Sequence, residues 1–134
     1  MRAAVVLILL IAVVLLLPIP LPGDTGAYNT LSGLTWCSNA QACTHERGHA
    51  LDQRNGWPSQ SEDFTFAVRV YVIAQMRSER PEPMAGVILE AWAHPVTRPG
   101  TNPNAELYAI IYQAAGGDVN EIPAALRTFY GGKP

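Results

Sequence analysis

From Ala3 to Leu17 the chain is apolar without interruption, and Pro18, Pro20 and Pro22 follow at once. A run like this, with no polar face and a proline-rich exit, is not a helix of a water-soluble core. It reads as a secretory signal or a membrane anchor, and residues 1–22 are set apart from the folded domain on that ground. The only tolerable cleavage site, Thr25-Gly26-Ala27, lies well beyond Leu17, so both a retained anchor and a removed signal stand. Arg2 and the amino terminus would hold that end in the cytoplasm, which places the remainder outside it.

Of the 134 residues, residues 28–134 remain as one domain, near the lower limit of what a single hydrophobic core stabilises. A metal ion or a disulfide is a useful addition at that size. Cys37 and Cys43 are the two cysteines; an oxidising compartment would join them, and two buried thiols are the other reading. Nine basic residues face eleven acidic ones for a net charge of −2. No stripe of Lys or Arg forms, so nucleic acid is not an expected partner.

Hydropathy patterning and stop signals give a mainly α domain, of the α+β kind, with a small strand or hairpin before the first helix. Residues 28–36 are rich in β-branched and aromatic side chains and read as a short extended segment. Ser38 and Gln41 form a capping box for a helix from Asn39 to about Arg54, closed by Asn55-Gly56. Ser61-Glu62-Asp63 opens a second helix that ends near Ser78; its β-rich stretch from Val68 to Ile73 leaves a strand as the alternative. A third helix spans Met84 to Ala93. Residues 96–103 form a loop, Asn104 caps a helix from Ala105 to about Ala115, and a short helix from Pro123 to Phe129 follows Gly116-Gly117.

The chemistry concentrates in the first helix, in His45-Glu46-Arg47-Gly48-His49. Residues four apart on a helix share a face, so both imidazoles can grip one Zn²⁺ while Glu46, beside them, handles the protons of a reacting water. These are two of only three histidines in the chain. Gly48, inside a helix, costs about 1 kcal/mol relative to alanine, which suggests that another backbone or a substrate approaches it closely. Catalytic zinc takes a third protein ligand and keeps one position open. The residues three and six beyond His49 are Asp52 and Asn55, which excludes the class that draws its third ligand from that stretch. A carboxylate from a later helix is the remaining source. Glu106 is the first choice and Glu90 the second, and Asp52 is a candidate for orienting a ligand or for a solvent-facing role.

His45 through Asp52, then Gly56, Ser59, Ser61 and Phe64, resemble the active-site region of gluzincin-type zinc metallopeptidases. The chain is most similar to toxin lethal-factor-like catalytic domains and their small bacterial relatives. Ala105-Glu106-Leu-Tyr-Ala109 matches a helix segment of that group, and Ile122-Pro123 through Tyr130 matches its short closing helix. The resemblance implies a minimal zincin-like metallopeptidase domain that hydrolyses peptide bonds, with Glu106 as third ligand and Glu46 as general base. Two departures stand out: residues 99–103 hold no tyrosine to stabilise the oxyanion, and Ile110 stands where thermolysin-type enzymes carry an aspartate. Tyr112 and His94 are the candidates for the missing electrophile. A peptide or protein substrate and a membrane contact through the N-terminal segment are the expected partners. A zinc-stabilised binding module without activity is the alternative.

Overall fold

The computed structural model describes residues 11–20, 24–98 and 100–133. The chain begins its folded part with a hairpin of two short antiparallel strands, β1 (Gly26–Tyr28) and β2 (Thr35–Cys37), in the register Gly26 to Cys37 and Tyr28 to Thr35. The extended segment expected over 28–36 is thus bent at its middle. Asn29 causes the bend: its Oδ1 accepts from the backbone N–H groups of Leu31 and Ser32, and its backbone N–H donates to the Leu34 carbonyl at 2.9 Å. Such local bonds from an asparagine compete with a straight strand.

Five α-helices follow: α1 (Ala40–Arg54), α2 (Glu62–Met76), α3 (Ala85–Ala93), α4 (Pro103–Ala114) and the single-turn α5 (Ala124–Arg127). The domain is mainly α with a small sheet, as the patterning indicates. The β-rich stretch of α2 is helical throughout, with Ser61 Oγ accepting from the Phe64 N–H as its N-cap. Two caps differ from expectation. Asn39, not Ser38, caps α1 by accepting from the Ala42 N–H at 2.8 Å, because Ser38 is engaged with the Thr25 carbonyl through both its backbone N–H and its hydroxyl. Asn102, not Asn104, caps α4, and Pro103 takes the first helical position, where its fixed φ and missing N–H cost nothing. A disulfide joins Cys37 at the end of β2 to Cys43 in the first turn of α1.

Among the described residues no helix is long and apolar enough to cross a membrane. The apolar run is described only from Ile11 onward, and its part over residues 3–10 lies outside the described residues.

The core is built from Leu51 of α1, Phe64, Val68 and Val72 of α2, Ile88 of α3, Tyr108 and Ile111 of α4, and Ile122, Leu126 and Tyr130 of the C-terminal segment. Tyr108 and Tyr130 stack with ring centroids 3.9 Å apart, and each hydroxyl donates to a backbone carbonyl, Phe129 and Tyr108 respectively. The buried phenols therefore keep their hydrogen-bonding groups satisfied. On the other side of α4, α1 crosses at Gly48. A Cβ placed there would lie 2.8 Å from Ala109 Cα and 3.1 Å from its Cβ. The close backbone approach suggested by Gly48 is thus made by α4.

Gly48→Ala tests this crossing by its sign. Helix propensity alone would stabilise the variant by about 1 kcal/mol. The clash with rigid backbone instead predicts destabilisation of about 1–3 kcal/mol, read as a lower urea midpoint with an unchanged slope.

Candidate metal centre

Four side chains converge where α1 meets α4. His45 Nε2 lies 3.2 Å from Glu106 Oε2, and His49 Nε2 lies 3.5 Å from Glu106 Oε1. The two imidazoles are edge to face, with ring centroids 4.9 Å apart. One donor atom from each of the three residues lies within 4.8 Å of the other two. An ion holding tetrahedral ligands at about 2.1 Å sets any two donors about 3.4 Å apart, and the two His–Glu separations are of that order, each to a different oxygen of the Glu106 carboxylate. The donor set, two imidazoles and one carboxylate, can hold a divalent metal ion.

The crossing explains the convergence. Glu106 lies one turn before Ala109 and Gln113 one turn after it, on the face of α4 that meets α1. Gln113 Oε1 lies 3.1 Å from His45 Nδ1. With Gln113 Oε1 accepting from Nδ1–H, Nε2 is the nitrogen that faces Glu106 and would bind a metal. Sequence reasoning missed Gln113. The signal available was its place seven residues after Glu106, two helical turns along the same face.

Glu46 is 7% exposed and borders the same cavity. Strand β1 passes directly over it: a Cβ at Gly26 would stand 2.6 Å from Glu46 Oε1 and 2.8 Å from its Cγ. The absent side chain at position 26 is what gives the Glu46 carboxylate its place. Burial pushes the Glu46 carboxyl above its ordinary value, against the pull of the two neighbouring imidazoles. Burial would do the same to Glu106, but hydrogen bonds from His45 and His49 and their charges reverse it, and its carboxyl falls to about 2. For His45, burial opposes protonation and loses to Glu106, Glu46 and Gln113, so its imidazole is raised. The two carboxyls of one site are thus shifted in opposite directions, Glu106 down by its imidazole partners and Glu46 up by burial.

The cavity has a volume of about 910 Å³ and is walled by β1, α1, the α4 face and the loop that precedes α4, with Tyr28, Arg98 and Gln113 among its polar groups. Arg98 is paired with Asp24 at 2.5 Å across its rim. Tyr28 donates from its hydroxyl to Gln53 Oε1 of α1.

Other residues singled out from the sequence lie elsewhere. Glu90 and His94 pair with each other at 3.8 Å on the outer surface of α3, with the His94 side chain 74% exposed, so neither joins the metal-ligating group. Tyr112 turns to the opposite flank of α4, where its ring lies parallel to that of Tyr130 at 6.5 Å and its hydroxyl lies beside Gly117; it does not border the cavity. Asp52 is fully buried, and its two oxygens accept from the Ser59 N–H at 3.0 Å and the Ser59 hydroxyl at 2.5 Å. It holds the turn between α1 and α2, and burial pushes its carboxyl above the ordinary value against the hydrogen bonds from Ser59 and the pull of His49 one helical turn away.

Comparisons with protein-family models, with curated proteins and with solved structures yield no match for the chain.

Glu106→Ala is expected to reduce zinc affinity by orders of magnitude in equilibrium dialysis, whereas Glu90→Ala leaves it unchanged. Gln113→Ala lowers it by about 10–100-fold through the freed His45 ring. A loss with Glu90→Ala as large as with Glu106→Ala would remove Glu106 from the ligand set.

Proposed function

We propose that the chain is a minimal, zincin-like zinc metallopeptidase that acts outside the cytoplasm and is tethered to a membrane by its N-terminal apolar segment. The observation that carries the reading is the convergence of His45, His49 and Glu106 at a cavity that the nearly buried Glu46 also borders. Glu106 is held ionised between two imidazoles. Glu46, the neighbour of His45, is raised and borders the same cavity. Zinc suits two neutral imidazoles and a carboxylate, and when bound it supplies Lewis acidity toward a water and a peptide carbonyl.

The chain's own residues do the rest. His45 presents Nε2 because Gln113 holds the proton of Nδ1, and Glu106 keeps its charge beside both rings. The Glu46 carboxylate takes one proton from the attacking water as its oxygen bonds to the peptide carbon. It returns that proton to the amide nitrogen as the C–N bond breaks, and the second proton of the water passes from the new carboxyl group to the amine, so the products are a carboxylate and an ammonium group. A cavity of about 910 Å³ lies within the range of ligand pockets and leaves room for a few residues of polypeptide. The disulfide between Cys37 and Cys43 accords with an oxidising compartment.

A second reading has one observation in its favour. The donors come from two helices, α1 and α4, so an ion there would also clamp the domain, as in a metal-stabilised binding module. Glu46→Gln separates the two. The hydrolase reading expects peptide cleavage to fall by about 10²–10⁴-fold with zinc stoichiometry retained. Equal cleavage by the two proteins, or none by either, would favour the binding module.

Gly26→Ala gives an independent check on Glu46. The new methyl group meets the Glu46 carboxylate and displaces it, and misplacement of a reacting group by about 1 Å costs on the order of 10²-fold in rate. Cleavage is expected to drop accordingly while zinc binding, measured in the same samples, stays within error of the unaltered protein.

A further inference from the structure

The turn between β1 and β2 is bound to the end of the apolar helical segment. Asn29 Nδ2 donates to the carbonyls of Leu15 at 2.8 Å and Leu17 at 3.0 Å, and Ser32 Oγ donates to the Leu16 carbonyl at 2.5 Å. Those carbonyls end a helix and have no intrahelical donor. In water they would be solvated at no cost, but at the depth of lipid headgroups and acyl chains a protein donor is needed. The hairpin supplies three such donor contacts.

The same turn is apolar where it meets solvent. Leu31 is 77% exposed, Leu34 49% and Trp36 40%. Between Arg2 and His45 the chain contains one charged residue, Asp24, which is paired with Arg98. The hairpin therefore carries no charge of its own and presents two leucines and a tryptophan beside an apolar helix end, a composition suited to the lipid–water boundary, where tryptophan is enriched. Phe66, Val70 and Ile73 are also exposed, along one face of α2 with Arg69 beside them, and what sets the hairpin apart is its hydrogen bonding to the end of the apolar segment. Ile19, Tyr28 and Thr30, from the segment after the apolar helix and from the hairpin, also border the cavity of the candidate metal centre.

We propose that the hairpin turn, through Leu31, Leu34 and Trp36, rests in the lipid–water interface and sets the cavity against the bilayer, so that its substrates are polypeptide segments held at the membrane surface. The substrate clause rests on the hydrolase reading; the docking of the turn does not.

The full chain in phosphatidylcholine vesicles tests both. With Cys37 and Cys43 joined, Leu31→Cys provides a single thiol for a bimane label, and Glu79→Cys, on the exposed turn after α2, provides the reference. The label at 31 is expected to lose emission to lipids carrying a nitroxide on the upper acyl chain and to resist aqueous iodide, with the reverse at 79. Equal iodide quenching at both positions, with no effect of the lipid nitroxide, overturns the docking. In the same vesicles, Leu31→Glu combined with Leu34→Glu is expected to lower cleavage of a lipid-tethered peptide by about tenfold through lost local concentration. Cleavage of a soluble peptide of the same sequence stays unchanged. An equal loss on both peptides, or on neither, overturns the substrate clause. If the unaltered chain cleaves neither peptide, the hydrolase reading fails, and the quenching pattern alone decides the docking.

Discussion

The approach of α1 to α4 at Gly48 and Ala109 is the constraint on which the rest of the molecule depends. A side chain at position 48 would meet backbone at 2.8 Å, so the two helices touch as closely as a glycine permits. His45 and His49 lie three residues before and one residue after that point, and Glu106 and Gln113 lie three residues before and four after Ala109. Helix periodicity turns one close contact into four converging side chains. A helix separation wider by the size of one methyl group would carry Glu106 away from both imidazoles. The same contact frees the far side of α4 to carry Tyr108 and Ile111 into the core, so the helix that completes the site also organises the packing.

Electrostatics constrain the site as tightly as packing does. Glu46 and Glu106 are both mostly withdrawn from water, and a buried carboxylate is costly unless something answers its charge. The chain answers them unequally. Glu106 receives both imidazoles, and Glu46 receives the strand that covers it. On the proposed reading, a divalent cation between neutral imidazoles would balance the two carboxylates and bring the cluster to zero formal charge. That balance accounts for the presence of a second acid at a site where three ligands already suffice.

Much of this was legible in the residues. The two histidines at helical spacing, the acid between them and the anomalous Gly48 each signalled the site, because helix periodicity is a local property that needs no tertiary information. Helix extents were legible for the same reason. Cap positions were less so: Ser38 is a good capping residue by type, but a distant partner, the Thr25 carbonyl, takes it. Asn102 followed by Pro103 held the correct start of α4, and the equally suitable Asn104 obscured it. What the sequence left hidden depended on which elements meet. Glu106 was legible as the first choice over Glu90, but the reason it reaches the imidazoles, the crossing of α1 with α4, was not. Tyr112 and His94 fail to reach the cavity for the same reason, each lying on a face that packs elsewhere or meets solvent.

Gly26 shows how far the division between fold and chemistry breaks down in a chain this small. It belongs to a three-residue strand, pairs with Cys37, and leaves the space that the Glu46 carboxylate fills. Cys37 is in turn fastened to the first turn of α1, the helix that carries Glu46. Strand pairing, a covalent bond and the helix axis thus form a closed loop of constraints around one carboxylate. The hairpin that closes this loop is the element whose turn binds the end of the apolar segment through Asn29 and Ser32. The end of the apolar segment and the Glu46 carboxylate are therefore joined through one hairpin, the first at its turn and the second beneath its first strand.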